Sequence, residues 1–189
     1  TETLEIETDE EYLNHVHTRV ENGELKIDVV GDWFNRITFF FSRGFESQRI
    51  RYNLVIRNLK GLDVSGAARV EVDALHTDEL AVRLGGAADI DIDDLDAGSL
   101  QVRLPGAGSI NVDGKADNQE VRVSGAGSYS ARKLECQSAV VKITGVGRAI
   151  VSAVEELDIS VTGFGSVEYY GSPRVRQSVT GLGNVISKG

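Results

Sequence analysis

Glycine pairs recur through the last two thirds of the chain at a nearly fixed interval. They are Gly106/Gly108, Gly125/Gly127, Gly145/Gly147, Gly163/Gly165 and Gly181/Gly183, preceded by two degenerate copies, Gly66-Ala67-Ala68 and Gly86-Ala87-Ala88. First glycines fall at 66, 86, 106, 125, 145, 163 and 181, giving intervals of 20, 20, 19, 20, 18 and 18 residues. Such a period marks a repeat architecture, in which each unit buries its apolar face by stacking on its neighbours. Eighteen of the 21 glycines lie in residues 61–189, so the glycine excess belongs to the repeat.

Apolar residues keep constant offsets from these corners. Four and six residues after each first glycine stand Val70/Val72, Ile90/Ile92, Ile110/Val112, Tyr129/Ala131, Ala149/Val151 and Val167/Tyr169. Four and two residues before the next stand Val82/Leu84, Val102/Leu104, Val121/Val123, Val141/Ile143 and Ile159/Val161, with a weaker Gln177/Val179. Alternation with period 2 reads as short strands with one buried face. The pattern predicts a right-handed parallel β-helix of about seven coils of 18–20 residues. Val102, Val121, Val141, Ile159 and Val179 are expected to form one buried column and the glycines another. A sandwich of antiparallel hairpins also spaces strands closely, but it does not require one pattern at one offset in seven copies.

Residues 1–65 differ from 66–189 and are read as strands, a hairpin and a cap of the same domain. Leu4–Glu7 alternates like a strand, Asp9–Leu13 resembles a turn or short helix, and Arg51–Arg57 reads as a strand. Asn22-Gly23 between two alternating runs is a hairpin signal. The segment from Trp33 to Phe45 holds the only tryptophan and five of the six phenylalanines. Consecutive Phe39, Phe40 and Phe41 cannot share one strand face. Together with Trp33 and Phe34 they are expected to cover the solenoid's end or to meet a second copy in a homodimer.

Several functions are disfavoured by composition. The net charge of −9 argues against nucleic-acid binding, which needs a basic face. No apolar run approaches the ~20 residues of a membrane helix. A single cysteine, Cys136, excludes an internal disulfide and is read as a structural thiol. The chain lacks methionine, so it is expected to begin within a longer product or after processing. No Gly-x-Ser-x-Gly elbow or dinucleotide loop is present; Gly106-Ala107-Gly108 lacks the third glycine and leads into a strand. No cofactor is expected. His15 and His17 share a strand face without an apparent third ligand and are read as surface residues.

Stacking makes outward residues into ladders. Glu71/Asp73, Asp91/Asp93 and Asn111/Asp113 repeat at offsets five and seven. Their carboxylates would lie about 5 Å apart, a repulsion that solvent, basic neighbours or a hard cation must offset. Asp91, Asp93 and Asp113 are thus a weak Ca²⁺ candidate, with a solvated face the expected outcome. Three residues before successive glycines stand Arg83, Arg103, Arg122 and Lys142. This basic stripe either stays solvated or binds an anionic glycan or a protein partner.

Glu7-Thr8-Asp9-Glu10-Glu11-Tyr12-Leu13, then Val20-Glu21-Asn22-Gly23-Glu24-Leu25-Lys26-Ile27, Leu62-Asp63-Val64-Ser65-Gly66 and the Ser124-Gly125-Ala126-Gly127-Ser128 corner together resemble the head GIN domain family. That bacterial, usually exported family is described as auto-transporter adhesins of largely unknown function, and the resemblance covers nearly the whole chain. It implies a non-enzymatic binding or scaffolding protein at the cell envelope or outside the cell, with no family catalytic residues to carry over. The rival readings are a polysaccharide-active β-helix enzyme and a purely structural, self-associating solenoid.

Overall fold

A computed structural model describes residues 2–7, 16–29, 51–56 and 58–189. The Asp9–Leu13 segment, His15 and the aromatic stretch of Trp33, Phe34, Phe39, Phe40 and Phe41 lie outside the described residues. All described elements are strands. No helix among them is long and apolar enough to cross a membrane. The chain divides into two compact units, Thr1–Arg57 and Asn58–Gly189.

The first unit contains two antiparallel pairs. Strand β1 (Thr3–Glu7) pairs with β4 (Arg51–Val55), and β2 (Val16–Glu21) pairs with β3 (Glu24–Val29). Asn22 and Gly23 connect the second pair with φ of 55° and 80°. Positive φ at both positions is what a two-residue hairpin turn demands, and Asn-Gly meets it at low cost.

The second unit is a solenoid. Its strands are β5 (Gly61–Val64), β6 (Ala67–Val72), β7 (Leu75–Leu84), β8 (Ala87–Leu104), β9 (Ala107–Val123) and β10 (Ala126–Ala131), then β11 (Leu134–Ile143), β12 (Val146–Ser152), β13 (Glu156–Tyr170), β14 (Arg174–Gly181) and β15 (Asn184–Ser187). Every pairing among them is parallel, between one coil and the next. Leu62, Val82, Val102, Val121, Val141, Ile159 and Gln177 succeed one another in a single column. At about 4.8 Å per coil the column is roughly 30 Å tall.

Each coil is three-sided. In β8, Ala88, Ile90, Ile92, Leu95, Ala97, Leu100, Val102 and Leu104 are buried. The alternation skips a beat at Asp93-Asp94 and again at Gly98-Ser99, where successive residues turn outward. With the glycine corner these make three bends. The interior is filled by the stacked side chains themselves, so the structure is a packed column.

Two departures from the sequence reading are instructive. Val179 stands over Val161, and Gln177 stands over Ile159. Val179 therefore does not belong to the Val102–Ile159 column, and it is 42% exposed. Gln177 is exposed on β14, so a polar residue stands in the column there without a burial cost. The 19-residue interval is absorbed at one corner. Ile92 pairs with Val112 and Leu95 with Gly114, so Asp93-Asp94 stand opposite Asp113 alone. Gly114 has φ of 120°, and a Cβ there would lie 2.2 Å from the Leu95 carbonyl oxygen.

One polar cluster lies inside the column. Tyr129 is fully buried; its hydroxyl donates to Gln119 Oε1 at 3.1 Å, and Gln119 Nε2 donates to the Ser152 carbonyl at 3.2 Å. Burial pushes the Tyr129 phenol up. Cys136 is also buried, and its Sγ lies 3.0 Å from the Ser138 carbonyl oxygen. Burial raises the Cys136 thiol as well, which suits a structural rather than a reactive thiol.

Candidate functional site

The third side of each coil, ending at the glycine corner, carries the basic stripe. Register pairs Asp63 with Arg83, Arg83 with Arg103, Arg103 with Arg122 and Arg122 with Lys142. All four cations point outward because each sits between two inward residues of its strand; Arg103, for example, lies between buried Val102 and Leu104. They line a shallow groove of about 330 Å³ with Pro105, Ser124 and Thr144. Asp63 lies 3.4 Å from Arg83 at one end. Glu120 accepts from Arg122 at 2.5 Å and lies 3.7 Å from Lys142. The Arg122 hydrogen bond is the main reason the Glu120 carboxyl is held below the usual carboxylate range.

Elsewhere on the column Arg132 lies over the Tyr170 ring, and six cations stand against an acid of the adjacent coil. Arg69 lies 3.7 Å from Asp89, Lys133 lies 3.1 Å from Asp113, Arg174 lies 3.4 Å from Glu156, and Arg176 lies 3.7 Å from Asp158. Arg148 meets Glu168 in the same way. Asp96 lies 3.1 Å from both Lys115 and His76, in the coils above and below. The Lys115 hydrogen bond leads the effects that lower the Asp96 carboxyl.

These pairs also describe the acidic ladder. Asp91 accepts a 2.7 Å hydrogen bond from Asn111, and Asp113 is paired with Lys133. Asp89 accepts a hydrogen bond from Ser109 at 2.5 Å. Asp93 is exposed at the corner. Among the described residues, no three acidic, histidine or cysteine side chains gather as a metal site would require. His17 is exposed on β2.

A third ladder was not singled out in the sequence. The middle residue of each glycine corner becomes large and apolar toward the carboxy terminus, where Val146 pairs with Phe164. Leu182, at the next corner, donates its backbone N–H to the Gly163 carbonyl. Val146, Phe164 and Leu182 are 60%, 61% and 77% exposed. The signal was present as the change from Ala67, Ala87, Ala107 and Ala126 to larger residues at one repeat position.

The profile of a family described as "Putative auto-transporter adhesin, head GIN domain" matches residues 1–173. No curated protein matches the chain. Solved structures do. A "putative adhesin" from Bacteroides fragilis superposes with a TM-score of 0.84 at 23% identity, covering 99% of this chain and 83% of that one. A "putative adhesin" from Parabacteroides merdae gives 0.69 at 19% identity, covering 100% and 84%. A protein from Parabacteroides distasonis described as a "putative lipid binding protein" gives 0.65 at 22% identity, covering 100% and 85%. What these structures share with this chain is the fold.

Proposed function

The chain belongs to the head GIN domain family, and on that premise we propose that it is an exported, non-enzymatic bacterial envelope protein that binds or scaffolds, with adhesion as its role. The observation that carries this reading is the register that each side of the coils keeps from one coil to the next, with the steps taken up at the bends. It converts single outward residues into straight ladders on a rigid column, which is a means of display. Cell attachment is the test. A strain lacking the protein is expected to attach less well to its natural surface, and protease added to intact cells is expected to remove the protein. Equal attachment by the deletion strain would overturn the adhesion reading. Turnover of an acidic polysaccharide by the purified protein would favour the rival, a polysaccharide-active enzyme.

Self-association is the further part of the proposal. On β14, Gln177 and Val179 are exposed, and an exposed strand surface can template pairing with another chain. Light scattering at tens of micromolar is expected to show a homodimer. Phe40→Ser with Phe41→Ser tests the aromatic segment as the contact; a monomeric parent protein overturns the proposal.

The exposed Val146–Phe164–Leu182 ladder favours a second reading, contact with a lipid. Co-sedimentation with phosphatidylcholine vesicles that is lost on Phe164→Ser would support it, and no co-sedimentation would reject it.

A further inference from the structure

We propose that Arg83, Arg103, Arg122 and Lys142 form a binding site for a linear acidic polysaccharide lying along the solenoid axis. The inference deepens the adhesion reading by naming a ligand class and a face. Its starting point is the stacking of like charges along the stripe. Six cations elsewhere on the solenoid meet an acid of the adjacent coil; here four cations stack on one another, with Asp63 and Glu120 as the acids they reach. Like charges directly opposite one another in a sheet destabilise it. Glu120 is shared by Arg122 and Lys142. Arg103, between Arg83 and Arg122, has no acidic partner among the described residues. The arrangement therefore carries uncompensated positive charge on a chain whose net charge is −9.

The geometry selects the ligand. Three coil-to-coil steps place the cations along roughly 14 Å at a regular spacing near 4.8 Å. A pyranose chain with one carboxylate or sulfate per sugar repeats its charge at a comparable distance, so each coil can meet one sugar. The groove beside the stripe supplies Ser124 and Thr144 hydroxyls, and Pro105 gives an apolar patch. Single-stranded nucleic acid fits less well, because its sites need aromatic platforms for the bases and the groove lining has none.

The test uses the whole chain and a length series of end-labelled oligogalacturonates, with dextran sulfate oligomers as the sulfated arm and neutral dextran as control. Binding is expected with the carboxylated or the sulfated series, weakening as salt rises. Affinity should climb with length and level off near four units, matching the stripe. Arg103→Ser with Arg122→Ser should weaken binding about tenfold or more. Arg174→Ser with Arg176→Ser removes equal charge from β14, outside the stripe, where each arginine meets an acid of the adjacent coil, and should change it less than about twofold. Melting curves establish that both variants are folded. Equal losses in the two variants, no binding to either series at low salt, or tighter binding of an oligothymidylate would each overturn the proposal. Binding is read on purified protein and attachment on cells, so failure of this site and failure of the adhesion reading are separate results.

Discussion

Gly125 lies directly over Gly106, so close that a Cβ added to Gly125 would sit 2.1 Å from the Gly106 carbonyl oxygen. The same holds for Gly106 over Gly86, at 2.2 Å. Neither residue requires a left-handed φ; what excludes a side chain is the backbone of the coil beneath. Gly66 begins the series and has nothing within 4 Å of its Cβ position.

A pair of alanine substitutions separates these circumstances. Gly125→Ala must push two coils apart and is expected to cost about 3 kcal/mol or more. Gly66→Ala is expected to be neutral or to stabilise by up to ~1 kcal/mol through the unfolded state. Urea unfolding of both variants is the measurement, and equal midpoints would refute the stacked-corner explanation.

The inward and outward assignment of side three can be checked at adjacent positions. Val121 is fully buried, whereas the Arg122 side chain is half exposed. Val121→Asp places a charge in the apolar column without a partner and should cost about 3 kcal/mol or more. Arg122→Ser leaves Glu120 its neighbour Lys142 and should cost less than about 1 kcal/mol. Thermal melts would contradict the register if the two variants matched.

Tyr129 and Gln119 should behave as a unit. Tyr129→Phe leaves Gln119 Oε1 without its donor, and Gln119→Leu leaves the phenol hydroxyl unpaired. Each is expected to cost about 1–3 kcal/mol. The double variant orphans neither side of that bond, so its cost should fall short of the sum by ~1 kcal/mol. A strictly additive cycle would show that the buried hydrogen bond contributes nothing.

Acid should weaken the Glu120 cluster in a defined direction. The carboxyl is lowered from its ordinary value of 4.5, chiefly by Arg122. A group lowered on folding contributes stability that is complete above the ordinary value and is lost as pH falls through the lowered one. The advantage of the parent protein over Glu120→Gln should therefore be present at neutral pH and shrink below pH 4.5. Its size is on the order of 0.5 kcal/mol, because the pair is partly open to solvent. An advantage that grew on acidification would show the sign to be wrong.

The repeat made much of this arrangement readable beforehand. Residues at fixed offsets, such as Val102, Val121 and Val141, had to share a column, and Arg103 and Arg122, one position on, had to face outward. Asn22-Gly23 specified its turn through backbone preference alone. The bend at Gly98-Ser99 was not readable, because equivalent corners use Asp78-Glu79, Asn118 and Ser138 and share no required residue. Which acid meets which cation depended on the corner that absorbed the 19-residue interval. Asp96 between Lys115 and His76 therefore emerged only with the register. The Tyr129–Gln119 contact crosses the interior between side chains ten residues apart on either side of the Gly125 corner, a separation about which a stacking period carries no information.

The step at Asp93-Asp94 and Asp113 has a practical consequence for remaking the molecule. One residue fewer at that bend leaves both flanking strands in register, so the bend tolerates changes of length that the glycine edge would reject. Foreign peptides grafted there would emerge sideways from a column whose stacked sides remain intact. Grafts at successive equivalent bends would stand one strand spacing apart, making the molecule a graduated mount for epitopes or tags.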